Sequence, residues 1–304
     1  ILNQNVPEVT AVVVQDDGDL SVLDTADAIM LGSDGGRLVK TLGDRLEPLM
    51  KKGVGLAAIH YTVDPSDPQR LPEDWDERVE RWRSRDHVVE FRMHPGLFLS
   101  FGVEGWDRLT EVIFLLKDDP WLVREFLEIR GEFTAEMAKR VLRDVTPDLA
   151  TFSEPVAGGD GPLVSPGDYR DVVLSTYRPV LNVLQAGGVE TMVFKTYANA
   201  RRLLPVVVEA GFNCVWAVEP GTGNMDYLEL RRQFGPELRL IGGIDLDALM
   251  VGEGAVRRQF DEYVRPLLAQ GRYVPLADGR VRKNTPFAGY LCYRRLLEQV
   301  AREA

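Results

Sequence analysis

Apolar residues come in short clusters along this chain, punctuated by polar and turn-forming residues. TAVVV (10–14), ADAIMLG (26–32) and GVGLAAIHY (53–61) are short, apolar and rich in branched side chains, the pattern of buried strands. Between the last two, LVKTLGDRLEPLMKKG has helical spacing and stops on Lys51, Lys52 and Gly53. Residues 1–63 therefore predict strand, strand, helix, strand, a piece of a parallel sheet. Residues 64–86 break the pattern with Pro and Asp, then a densely charged helix, and read as a linker or domain boundary.

From residue 87 a steady alternation begins. Strands are predicted at HVVEFRMHP, LATFSEPVA (149–157), ETMVFKTYA (190–198), NCVWAVEPG (213–221), LRLIGGID (238–245) and RYVPLA (272–277). Helical segments follow each of them, the last being PFAGYLCYRRLLEQVAREA. Six βα units over 87–304 favour a TIM-type (β/α)8 barrel over an open sheet. Two strands are lacking, and an open ring would leave unpaired edges. The expectation is that two of the three upstream strands complete the ring, with RYVPLA pairing to one of them.

The strand ends carry the candidate chemistry, because barrel enzymes build their sites at the C-terminal ends of strands. Those ends bring Arg92 and His94, then Glu154, then Lys195, Tyr197 and Asn199, then Glu219, Asp245, and finally Asp278 and Arg280. The last loop, ADGRVRK, adds Arg282 and Lys283. One charged strand end is a solvated turn; six in register predict a site, with a ring of rim salt bridges as the plain alternative. Asp245 reads equally as the cap of the following helix. Cys214 and Cys292 read as core, and His60, at the end of an apolar strand, reads as structural before catalytic.

Composition narrows the classes. The 304 residues carry a net charge of −11, which argues against a broad nucleic-acid or anionic-membrane surface. No apolar run is long enough to span a bilayer. Two cysteines without a CxxC spacing suit a reducing cytoplasm. The partner expected is a small anionic substrate, with a homodimer left open.

Four stretches in order, GPLVSP, VFKTYANARRLLPVVVEAGFN, LRLIGGIDLDAL and GRYVPLADGRVRKNTPFAGY, resemble the uroporphyrinogen decarboxylase superfamily. That superfamily includes the decarboxylase of porphyrin biosynthesis and the cobalamin- or coenzyme-M-linked methyltransferases. The resemblance covers about residues 87–304 and implies a (β/α)8 barrel and a carboxy-lyase or methyltransferase. Where the methyltransferases carry a zinc-holding His-x-Cys-Gly-Asn, this chain reads Lys195-Thr196-Tyr197-Ala198-Asn199. The third ligand, or the late His of the decarboxylase, falls near Asp278. The Arg-rich substrate loop of the decarboxylase has no counterpart. Residues 10–64 are similar to part of the trehalose-utilisation family, which implies a flavodoxin-like βαβ segment.

The enzyme expected is a decarboxylase or group-transfer protein. Arg92, Lys195 and Arg280 hold carboxylate or phosphate groups. Asp278 and Glu154 form an acid/base pair, and Tyr197 donates to a developing oxyanion. His94, Asn199, Glu219 and Asp245 complete substrate binding. No cofactor is assigned, and Glu154, Glu219 and Asp278 with water are an alternative set for a hard divalent cation. The competing class is a non-catalytic or degenerate binding barrel that has lost the His-x-Cys zinc site.

Overall fold

A computed structural model describes residues 10–14, 19–32, 37–59, 65–66, 70–94, 96–103, 106–219 and 225–303. The chain divides into two compact units, residues 1–72 and 73–304.

In the first unit, strand β1 (Ala28–Gly32) and strand β2 (Gly55–Ile59) pair in parallel, joined by a helix at Arg37–Lys51. Leu42, Leu46 and Leu49 recur at helical spacing and bury against Ile29, which makes a small core of one βαβ unit. The strand predicted at 10–14 is not formed. Those residues are irregular, with Val12 and Val13 exposed, and a branched apolar run without a neighbouring strand has no ladder to join.

The second unit contains strands β3 (Glu90–His94), β4 (Leu149–Glu154), β5 (Ala157–Gly158), β6 (Gly161–Pro162), β7 (Thr191–Tyr197), β8 (Cys214–Val218), β9 (Arg239–Ile244) and β10 (Tyr273–Ala277). Six of them form one parallel sheet in the order β3-β4-β7-β8-β9-β10, and β5 and β6 make a small antiparallel hairpin. The expected ring closure is therefore corrected. Among the described residues β10 pairs with β9 alone, and β1 and β2 pair with each other. The fold is a mixed α/β arrangement around an open parallel sheet.

Every neighbour in this sheet is also the neighbour in sequence. Right-handed crossovers in that order put all the connecting helices on one face. Alternation along the strands separates the two faces accordingly. On the helix-covered face Phe152, Phe194, Val215, Leu240 and Tyr273 are all buried in one cross-strand row. Phe152 and Phe194 meet Phe212 edge to face, and Tyr177 and Tyr169 of the helical segment 166–186 pack on them. The charged helix Trp75–Arg83 belongs to this unit: the Trp75 indole donates to Asp144, and Arg83 and Arg85 hold the turn that leads into β4. Among the described residues no helix is long and apolar enough to cross a membrane.

The middle of β9 reads Gly242-Gly243, both at positive φ (104° and 79°). The reason is Tyr227. A Cβ on Gly243 would lie 2.9 Å from its ring. The Tyr227 hydroxyl bridges two strands, donating to the Ile241 carbonyl at 2.6 Å and accepting from the Ala217 amide at 2.9 Å. Removing it takes a partner from the buried Ala217 amide and from the partly buried Ile241 carbonyl; a stranded buried group costs roughly 1–3 kcal/mol. Tyr227→Phe is therefore expected to lower the urea midpoint of the second unit with an unchanged slope, and Gly243→Ala to lower it through both strain and collision. A Tyr227→Phe protein that unfolds at the wild-type midpoint would remove this bridge from the account.

Candidate functional site

The face of the sheet opposite the Phe152–Tyr273 row carries the polar row. Ser153, Lys195, Trp216, Ile241 and Val274 are successive cross-strand partners, half-buried except for the exposed Val274. The row beneath it, Thr151, Val193 and Cys214, is buried and closes the floor. Arg92 is the partner of Thr151 and so shares this face. Its side chain is 85% exposed, with the Glu90 carboxylate 3.6 Å away. Lys195 lays its Nζ 4.1 Å from the centre of the Trp216 ring, a cation–π contact. Partial burial holds the Lys195 ammonium below its usual range; Glu90 opposes that shift and Arg92 adds to it. Tyr197, two residues further along β7, is half-buried on the same face. The structure thus brings Arg92, Lys195 and Tyr197 onto one face.

A second group gathers where β8, β9 and β10 end. Asp278 is pushed up to about 6, first by burial and then by Asp245, Glu219 and Asp247, while the Leu246 amide opposes the rise by donating to its carboxylate at 3.3 Å. The Glu219 amide donates to the Asp278 carbonyl at 2.7 Å, and Glu219 takes a left-handed backbone, φ 46°. Holding a non-glycine residue there costs about 1–3 kcal/mol. Asp245 caps the helix Leu246–Val251, accepting from Asp247 N at 2.8 Å, so the capping reading of the sequence describes it. Arg280 is exposed, and Arg282 lies 3.7 Å from Asp247. Asn199 donates its backbone amide to Gly158 in the turn after β7, beside Ala198 at φ 53°.

Glu154 stands apart. It points into the helix-covered face, wholly buried, where Tyr177 donates to one carboxylate oxygen and the Leu97 amide to the other at 3.3 Å. Its carboxyl also fills the space beside Gly96: a Cβ there would meet it at 2.8 Å. Among the described residues no cation forms an ion pair with it, and burial raises its pKa to about 7. The groups that raise Asp278 do not include Glu154, so the geometry pairs Asp278 with Glu219 and Asp245 instead. This separation also splits the carboxylate set expected for a hard cation. Among the described residues no three His, Cys, Asp or Glu side chains are grouped to hold a metal.

A thiolate zinc centre does not suit these residues. Lys195 and Tyr197 offer an ammonium and a phenol, and the ammonium is engaged on Trp216. Cys214 is buried in the sheet, with its thiol pushed up to about 12 by burial, and Cys292 is buried in the last helix, Phe287–Glu303. His94 closes β3 opposite Phe152, after a bulge that skips Met93; its side chain, like His60, lies outside the described residues. Sequence reasoning missed Glu90, Trp216 and Tyr177. Glu90 had a signal, since it precedes Arg92 by two in a strand and so shares its face. Trp216 and Tyr177 had none, being apolar residues in apolar segments.

Glu154 makes stability depend on pH with a definite sign. Its folded pKa lies above the unfolded value, so the folded chain binds more protons between 4.5 and about 7. Stability from this group is complete below that window and falls as pH rises through it, by roughly 3 kcal/mol. Asp278 adds a drop of the same sign between 3.8 and about 6. Glu154→Gln keeps the shape and removes the titration. Urea unfolding from about pH 5 to about pH 8 is expected to show a flatter profile for the variant and greater stability than wild type at the alkaline end. Parallel profiles would contradict the buried-acid assignment.

No protein-family profile and no curated protein matches the chain. Among solved structures, a methyltransferase from Methanosarcina mazei is similar, with a TM-score of 0.53 and 16% identity over 76% of this chain and 68% of that one. At that identity the likeness is one of fold: the chain shares the α/β architecture of that methyltransferase.

Proposed function

We propose that residues 73–304 form a group-transfer enzyme, with methyl transfer its first candidate reaction. In this reading a small anionic substrate sits on the polar face of the sheet, near the C-terminal ends of the strands. The observation that carries it is the arrangement of Lys195 over Trp216 beside the exposed Arg92. Two cations on one face, in adjacent rows, with a flat ring on β8 between β7 and β9, suit a ligand that carries a carboxylate or phosphate on a small carbon body.

The roles follow from the geometry. Arg92 offers a guanidinium fork with only a 3.6 Å contact to Glu90, so it is free to take an anion bidentately. Lys195 adds charge where desolvation strengthens it. Tyr197, on the same face, donates to oxygen that gains charge. Asp278, pushed up to about 6, is partly protonated near neutral pH, but it follows β10, the edge strand opposite the one that carries Arg92, and takes no part in holding this anion. Between the two reactions implied by the family resemblance, the likeness to a methyltransferase supports transfer, and no observation supports decarboxylation.

The test begins with binding. Calorimetry of the full chain against acetate, succinate and inorganic phosphate is expected to find an anion whose affinity falls about tenfold or more in Arg92→Ala and in Lys195→Ala, the loss of one charge-assisted contact. Arg302→Ala, at a surface pair far along the last helix, is expected to leave it unchanged. Carbon-13 NMR with methyl-labelled thiol, amine and corrinoid donors then follows the transfer. Equal affinities in all four proteins would sink the proposal.

A further inference from the structure

The chain has seven lysines, at 40, 51, 52, 117, 139, 195 and 283. Six lie in helices or turns, and Lys195 alone lies within a β-strand. Lys51, Lys117 and Lys139 each hold a carboxylate at 2.5–2.6 Å. Lys195 differs: among the described residues its Nζ has no ion-pair partner, and it rests on an indole face instead. Partial burial without a direct ion pair makes the ammonium form costly there and favours the neutral amine.

We propose that Lys195 is an imine-forming amine that takes the carbonyl carbon of a small oxo acid whose carboxylate Arg92 holds. This rests on the anion-binding reading above and names its substrate class. Three features besides charge point to it. The Nζ is half-buried on a solvent-reached face, so a small molecule can approach it. Trp216 fixes its position without occupying its lone pair. Arg92 shares the face and is exposed, offering a separate anchor for the acid group. The downward pull on the ammonium from burial and Arg92 enlarges the neutral fraction that attacks.

The step balances within the residues present. Neutral Nζ attacks the carbonyl carbon, and its proton passes to the carbonyl oxygen to give a carbinolamine. Glu90, having taken the proton that freed the Lys195 amine, returns it to the carbinolamine hydroxyl; the C–O bond then breaks, water leaves, and an iminium remains. Hydrolysis reverses both steps, so no oxidant or reductant is needed. Glu90, near enough to act on the charge of Lys195, is the proton carrier, and Ser153 faces Lys195 directly across the β4–β7 ladder. An iminium draws electrons from the adjacent carbon and makes it a nucleophile once a proton leaves, which is what group transfer to carbon requires.

Reductive trapping decides it. The full chain is incubated with pyruvate and sodium cyanoborohydride, and the secondary amine is located by peptide mass mapping. The expected result is an adduct on the peptide bearing Lys195 at least tenfold above any other lysine. Acetone, which lacks the carboxylate, is expected to label that lysine far less. Arg92→Ala is expected to remove the preference for pyruvate over acetone while keeping Lys195 reactive. Lys195→Arg, checked by circular dichroism for an intact fold, is expected to abolish the adduct. Label spread evenly over the seven lysines would overturn the inference. Acetate or phosphate binding by the wild type without a Lys195 adduct would overturn it and leave anion binding standing; loss of both binding and adduct would remove the two together.

Discussion

Parallel strands laid down in chain order constrain everything else in the second unit, because crossovers between such strands are right-handed as a rule. That order leaves no choice about where the helices go. They share one face, and the aromatic residues of β4 and β7 bury beneath them. The other face is left to whatever side chains the alternate positions carry. That face carries Lys195 of β7, resting on Trp216 of the neighbouring β8, and Arg92 of β3, two strands from β7. The strand ends inherit the same polarity, so Glu219 and Asp245 crowd Asp278 at one edge and add to the rise that burial gives its carboxyl.

The two faces treat charge in opposite ways. On the helix-covered face the Glu154 carboxyl is enclosed with hydroxyl and amide donors, and burial raises its affinity for a proton. On the polar face the cations remain wetted, and a carboxylate, Glu90, moderates them. A residue one position along a strand changes face, and with it the sign of the desolvation argument. Glu154 and Lys195 are both strand-end charges in the sequence, yet Ser153, not Glu154, is the partner of Lys195.

That alternation explains what the sequence could and could not disclose. All six strands of the sheet, and their βα rhythm, were legible because short branched apolar runs between Gly-rich turns have few other readings. The strand at 10–14 was not, since the same pattern without a partner stays irregular. Closure was misjudged although a signal was present. Pro275 sits in the middle of RYVPLA, and a proline inside a strand marks an edge because it has no N–H to give. At the far edge Glu90 and Arg92 with the bulge before His94 serve the same end. Within the site, Arg92, Lys195 and Tyr197 were legible as strand-end residues that share a face. Glu154 was misread as a mouth residue because charge at a strand end does not reveal the face it takes. Trp216 could not be found, for an indole in an apolar run looks like core until the lysine that rests on it is placed.

The strand order has one more consequence, in time rather than space. Contacts between consecutive βα units are short in sequence, which lowers the entropy lost in closing each loop. As the chain emerges from synthesis, each new strand finds its only earlier partner already present: β4 on β3, β7 on β4, and so on to β10. Growth is therefore one-ended, with a single reactive sheet edge at every stage. Pro275, in the last strand to arrive, acts as a terminator: it ends the additions by presenting an edge to which a further strand pairs poorly.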